Sequence, residues 1–175
     1  MNQLFFLFGA ITVAALNINQ YVGTWYQVYG DRFVISTFER GGRCITANYE
    51  LVGANNVSVH NSQLDANGNV QEIFGYAFIA DQNKPGQLTV NLDGHGNAPY
   101  WIYELGPVVD GLYDYALVSD PTKTSLFVLT RDVNRFYDQY EDLVLQNLQT
   151  LKFTGLRNKP VKTDQTNCRY TVALT

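Results

Sequence analysis

The 175 residues carry a formal net charge of -4, with only 16% charged and 14% aromatic side chains. A disordered chain shows the opposite bias, and a nucleic-acid-binding surface needs a basic cluster that this sequence lacks. The length suits one domain with a sizeable core.

Residues 1–16, MNQLFFLFGAITVAAL, contain no charge. The run is shorter than the ~20 apolar residues of a membrane-spanning helix. Val13 and Ala15 supply the small residues that precede a signal-peptidase cut. Residues 1–15 therefore read as a secretory signal peptide, and 16–175 as a single domain. No Lys or Arg follows Met1, so the alternative is a buried N-terminal helix or strand.

Beyond the leader, short strands alternate with turn chemistry. Thr24 to Phe33 is rich in aromatic and β-branched residues. Cys44 to Leu51 alternates cleanly, with Ile45, Ala47, Tyr49 and Leu51 on one face, as in a half-buried strand. Val57 to Leu64 and Val70 to Ala80 flank a turn at Asp65–Asn69. Gln87 to Leu92 follows Lys84-Pro85-Gly86, residues 93–99 (DGHGNAP) read as a loop, and Tyr100 to Leu105 is a strand. Tyr115 to Ser119 and Ser125 to Thr130 form a hairpin around Asp120–Thr124. About eight strands at hairpin spacing predict an antiparallel meander, sandwich or barrel.

The period then changes. Phe136, Tyr140, Leu143, Val144, Leu148 and Leu151 share a face at helical spacing, which predicts one amphipathic helix from about Asn134 to Leu151. Its stripe needs a sheet surface to cover. A closed barrel of eight strands has an interior that holds one small ligand. Tyrosines on an inner face would give such a site both apolar area and polar handles. In the strand at 70–80, Phe74, Tyr76 and Phe78 share a face and are placed inside; Ile73, Ala77 and Ile79 make the other face apolar as well. Trp101 and Tyr103 are assigned inward in the same way.

The two cysteines, Cys44 and Cys168, are able to pair in a secreted chain; the other reading is two unrelated buried thiols. Two cysteines alone do not make a zinc site, and no metal or cofactor is expected. Asn56-Val57-Ser58 is a glycosylation sequon, meaningful if the chain is secreted. Asp31, Asp110 and Asp114 have no paired acid at catalytic spacing. His60 and His95 belong to no catalytic motif, so an enzyme is not expected. Nothing in the sequence sets the oligomeric state.

Three blocks, in order, carry a family resemblance. Gly23-Thr24-Trp25-Tyr26 resembles the lipocalin Gly-x-Trp signature, Asp110–Val118 (DGLYDYALV) the second lipocalin motif, and Phe127-Val128-Leu129-Thr130-Arg131 the third. FERGGRCITANYEL (38–51) and TDQTNC (163–168) are similar to segments of the apolipoprotein D-like branch. The second motif departs from the usual pattern, with Gly111 and Leu112 where Asp-Tyr is common.

The resemblance implies an all-β, eight-stranded up-and-down barrel with one C-terminal helix packed outside. It also implies a Cys44–Cys168 bridge, and a barrel base where Arg131 packs over Trp25. Tyr49 and Phe127 match ligand-pocket positions of the branch. Its expected function is extracellular binding and transport of a small hydrophobic ligand such as a fatty acid, sterol or retinoid. A tetrapyrrole-binding chromoprotein is the alternative, with His60 as a haem ligand if it points inward; a lipocalin-type enzyme ranks below both. The loop at 33–38, with Phe33, Val34, Ile35 and Phe38, would cap the open end or touch a membrane, the plainer and preferred reading being a buried loop.

Overall fold

Alternating strands and polar turns build a meander whose first and last long strands meet. The structure is a computed structural model and describes residues 12–170. Most of the expected leader therefore lies outside the described residues. Thr12–Ala15 are inside them, and the Val13 N–H donates to Ile102 O at 2.9 Å.

A short helix, α1 (Ile18–Tyr21), is capped by Asn17 and leads into β1 (Gly23–Asp31). Asp31 then caps α2 (Arg32–Thr37) by accepting from the Val34 N–H. The sheet continues through β2 (Arg43–Leu51), β3 (Asn56–Leu64), β4 (Val70–Ile79), β5 (Gln87–Leu92) and β6 (Gly96–Leu105). A small ribbon of β7 (Val108–Val109) and β8 (Leu112–Tyr113) precedes β9 (Tyr115–Ser119) and β10 (Leu126–Thr130).

Each long strand pairs antiparallel with its neighbour in sequence, apart from the β6–β9 step across the ribbon, and β10 pairs with β1. The result is a closed eight-stranded barrel. Closure leaves no long free edge along β1–β10. The turns carry their own chemistry: Asp65 Oδ1 accepts from the Asn67 and Asn69 N–H groups, and Asp120 does the same for Thr122, Thr124 and Ser125. The loop predicted over 93–99 is shorter than expected. Gly94 and Gly96 adopt positive φ, which permits a tight turn, and Gly96–Pro99 already pair with β5.

The predicted helix runs through α3 (Val133–Arg135), a π-helical turn (Phe136–Tyr140) and α4 (Glu141–Thr150). The wider turn takes up extra residues, so Val144 rather than Leu143 comes round to the barrel side with Phe136. Val144 is fully buried and Leu143 is half exposed. This helix covers the outside of the barrel through Val28, Tyr103, Tyr115, Leu117, Leu126 and Val128.

A C-terminal strap follows. β11 (Pro160–Lys162) pairs with Tyr29–Asp31 of β1, on the part of that strand that β2 does not reach. Gln165 Nε2 donates to both Gln27 O and Ile45 O at 2.8 Å, bridging β1 to β2. Cys44 and Cys168 form a disulfide with Cα atoms 5.5 Å apart.

Candidate functional site: the barrel interior

The base is built from one indole and one guanidinium. Trp25 is fully buried and donates its Nε1–H to Tyr21 O at 2.8 Å. The Arg131 guanidinium lies 3.6 Å from the indole centroid. Its N–H groups reach Thr24 O at 2.7 Å, Tyr21 O and Val22 O at 2.8 Å, and Tyr113 O at 3.2 Å. Burial pulls the Arg131 pKa down to about 10, so it stays charged at neutral pH. In this geometry the cation stacks on the ring while tying α1, β1 and the β8 region together.

Above the plug stands a group of three tyrosines. Tyr21 OH and Tyr100 OH are 2.7 Å apart, and Tyr49 OH and Tyr100 OH 3.0 Å. Tyr21 also stacks on Tyr49, with ring centroids 5.8 Å apart. Burial raises the Tyr21 and Tyr100 pKa values well above the ordinary phenol range and that of Tyr49 to about 12, so all three are neutral. Tyr49 lies inside the barrel. Sequence reasoning misses Tyr21 and Tyr100 as site residues, and no local signal marks either: the Trp25 indole bonds to the backbone carbonyl of Tyr21, which any residue would supply.

The walls are apolar, and several inner positions are small. Ala47, Val57, Val59, Ala77, Leu88, Ile102, Ala116, Val118 and Leu129 belong to the inner cluster, and Val90, Leu92 and Phe127 pack against it partly buried. Phe127 is thus on the inner face. On β4 the inner parity is Ile73, Gly75, Ala77 and Ile79, since Ala77 and Ile79 join this cluster.

The opposite parity corrects five expectations. Phe74 and Tyr76 are exposed on the outer face of β4, 51% and 48%, and Phe78 shares that face and stacks with Tyr76. Trp101 and Tyr103 pack outside with the helix cluster, and Tyr103 meets Phe153 edge-on. The physical reason is room: with Trp25, Tyr21, Tyr49 and Tyr100 already inside, a narrow barrel takes the small Ala77 on β4, while Gly75 answers to the β5 backbone, since a Cβ there would lie 2.0 Å from Asn91 O. His60 also points outward, stacked on Phe74 at 4.4 Å with Nε2 2.8 Å from Glu72 Oε1. It is therefore not placed to ligate an internal haem.

Towards the mouth, Gln27 Nε2 donates to Glu39 Oε2 at 2.7 Å, both residues being buried. Burial, with the charge of Asp31 adding to it, raises the Glu39 pKa to about 7. Asp31 is itself raised to about 6 by burial, and its Oδ2 lacks a hydrogen-bond partner. The 33–38 segment is largely α2 rather than an open loop: Val34 is buried while Phe38 is 59% exposed. Outside the barrel, α2 and the strap enclose a groove of about 880 Å³ lined by Arg32, Phe33, Ile35, Arg157 and Lys159, among others. Asn56 is exposed at the start of β3. Among the described residues, no group of His, Cys, Asp or Glu is arranged to hold a metal, and no helix is long and apolar enough to cross a membrane.

The family model described as a lipocalin-like domain matches residues 16–154. The chain belongs to the lipocalin family. Apolipoprotein D of Macaca fascicularis is 33% identical to this lipocalin over 86% of its chain and 77% of the relative's. A protein of Acanthamoeba polyphaga mimivirus named as a lipocalin is 31% identical over 77% of this chain and 78% of its own. Among solved structures, apocrustacyanin C2 aligns with a TM-score of 0.65 at 21% identity, covering 86% of this chain and 81% of that one. That likeness speaks for the fold.

Proposed function

We propose that this lipocalin is an extracellular carrier that takes up a small hydrophobic ligand, of the fatty acid, sterol or retinoid kind, in its barrel. The observation that carries the reading is the inner face: an apolar wall with small residues at Ala47, Gly75, Ala77 and Ala116, sealed below by Trp25 and Arg131. Affinity would come from apolar burial, at roughly 25 cal/mol per Å², less the cost of ordering the ligand. The test is uptake of N-phenyl-1-naphthylamine, a neutral apolar fluorophore, and its displacement by candidate lipids at low and high salt. Saturable enhancement that barely changes with salt supports the carrier; no uptake rejects it.

Secretion is part of the same reading. The disulfide suits an oxidising compartment, and the exposed Asn56 sequon is open to a glycosyltransferase. Expression in a secretory host tests both: Asn56→Gln should remove a glycan-sized mass from the exported chain. We also assign peripheral membrane contact to the α2 end, where exposed Phe38 packs on Phe33, and exposed Leu156 shares a groove with Phe33, Arg32, Arg157 and Lys159. Co-sedimentation with anionic vesicles, lost on Phe38→Ser with Leu156→Ser, is the expected outcome; equal recovery of both proteins would remove the assignment.

A further inference from the structure

We infer that the deep end of the barrel selects a neutral ligand bearing a hydrogen-bond acceptor oxygen, such as a ketone, aldehyde or ester, over both a plain hydrocarbon and a carboxylate. The inference rests on the carrier reading and narrows it to a chemical class.

A phenol donates one hydrogen bond. Tyr21, Tyr100 and Tyr49 bring three O–H groups to two mutual contacts, at 2.7 Å and 3.0 Å. Each contact takes one proton. Whatever the direction of the two bonds, one O–H is left over, and the described residues offer it no other acceptor within hydrogen-bond distance. The side chains concerned are 2% exposed for Tyr21 and 5% for Tyr49, while Tyr100 is half-buried. A leftover donor in apolar surroundings is costly until an acceptor reaches it.

Charge decides which acceptor. A carboxylate would have to lose its water in this site, and it needs a cation in return. Arg131 is bonded to the Tyr21 backbone, but it lies against the Trp25 ring with its donors on backbone carbonyls of Tyr21, Val22, Thr24 and Tyr113. The phenols themselves stay neutral, so they donate without repelling. A carbonyl oxygen accepts the free proton at little desolvation cost, whereas a hydrocarbon leaves it unmet. A fatty acid fits the same barrel best with its tail at the triad and its carboxylate towards the mouth.

The experiment compares three ligands of one length, 2-undecanone, undecane and undecanoate, as displacers of N-phenyl-1-naphthylamine at pH 8. The ketone should bind about five- to twenty-fold tighter than the alkane, the factor expected for one hydrogen bond to an otherwise unmet buried donor. It should also bind more tightly than undecanoate. In the Tyr21→Phe, Tyr49→Phe, Tyr100→Phe triple variant, which keeps the rings and removes every phenolic proton, the ketone-to-alkane ratio should fall to about one. Should that variant fail to fold, the infrared carbonyl band of 2-undecanone bound to the wild-type protein gives the answer. A shift to lower frequency supports the donor, and a band at the hydrocarbon-solution position overturns it. Equal affinity of ketone and alkane, or a preference for undecanoate, overturns the selectivity while leaving the carrier reading intact. Failure of the fluorophore to bind at all is the separate result that rejects the carrier.

Discussion

Arg131 and Trp25 lie face to face at the barrel base, 3.6 Å from guanidinium carbon to ring centroid, and the same guanidinium holds the carbonyls of Tyr21, Val22 and Thr24. One side chain thus supplies a cation–π contact and the hydrogen bonds that fix the entry to β1. Arg131→Ala removes the contact and leaves several carbonyls without partners, a loss of about 3–5 kcal/mol. A domain of this size should then melt roughly 10 °C lower. Lysine keeps the charge but lacks the planar fork, so Arg131→Lys should recover only part of the difference. Thermal unfolding followed by circular dichroism measures both, and an unchanged Arg131→Ala midpoint would remove the arginine from the structural base.

The disulfide holds the strap against the barrel wall. It closes a sequence separation of 124 residues, and Cys44 N also donates to Asp164 O in the same strap. Cys168→Ser should cost roughly 2–5 kcal/mol of stability. It should also loosen β11 before the rest of the sheet opens. Denaturant unfolding gives the first quantity. Hydrogen exchange gives the second: faster exchange at Thr163, whose N–H bonds to Val28 O at 2.9 Å, with β3–β4 amides unaffected.

Glu39 makes stability depend on pH in an unusual direction. Its pKa rises from an ordinary 4.5 to about 7 because the carboxyl is buried. In the window between those values the folded chain keeps a proton that the unfolded chain has lost. The stabilising contribution is complete below about pH 4.5 and is lost as pH rises through about 7. Asp31 acts with the same sign up to about pH 6. The wild-type protein should therefore unfold more readily at pH 8 than at pH 5.5. Glu39→Gln keeps an acceptor for Gln27 Nε2 and carries no charge, so it should flatten the profile between pH 6 and 8 and raise the midpoint at pH 8. A wild-type profile that climbs over this window would contradict the buried-carboxyl account.

Much of the fold is legible in the sequence because its signals are local. Turn residues such as Asp65, Gly68 and Asp120 and the Ile45–Ala47–Tyr49 alternation mark strands without reference to the rest of the chain. The Gly-Thr-Trp block and Arg131, a hundred residues apart, become a pair through family resemblance rather than through spacing. Facing direction is different. On β4, both Phe74–Tyr76–Phe78 and Ile73–Ala77–Ile79 are apolar, and alternation is silent when both parities qualify. What decides is the total volume the barrel accepts, a property shared among all its strands. Tyr21 and Tyr100 belong to that shared volume and contribute neither motif nor period. The π-helical turn at Phe136–Tyr140 likewise answers to the surface beneath it, which strict helical spacing does not describe.

One pair of neighbours on β4 allows that shared volume to be probed directly. Ala77 is 4% exposed and belongs to the inner cluster, while Tyr76, the preceding residue, is 48% exposed on the outside. If the space beside Ala77 receives ligand, Ala77→Phe fills it with the protein's own ring. Affinity for N-phenyl-1-naphthylamine should drop at least ten-fold, while the melting midpoint holds or rises. Tyr76→Ala should leave affinity unchanged, since that ring never faces the ligand. A barrel already packed to crystal density at this level behaves otherwise: the added ring forces side chains off their rotamers, costing about 1–3 kcal/mol or more. A large loss of stability in Ala77→Phe, or a loss of binding in Tyr76→Ala, would mean that the inner and outer faces of β4 do not have these roles.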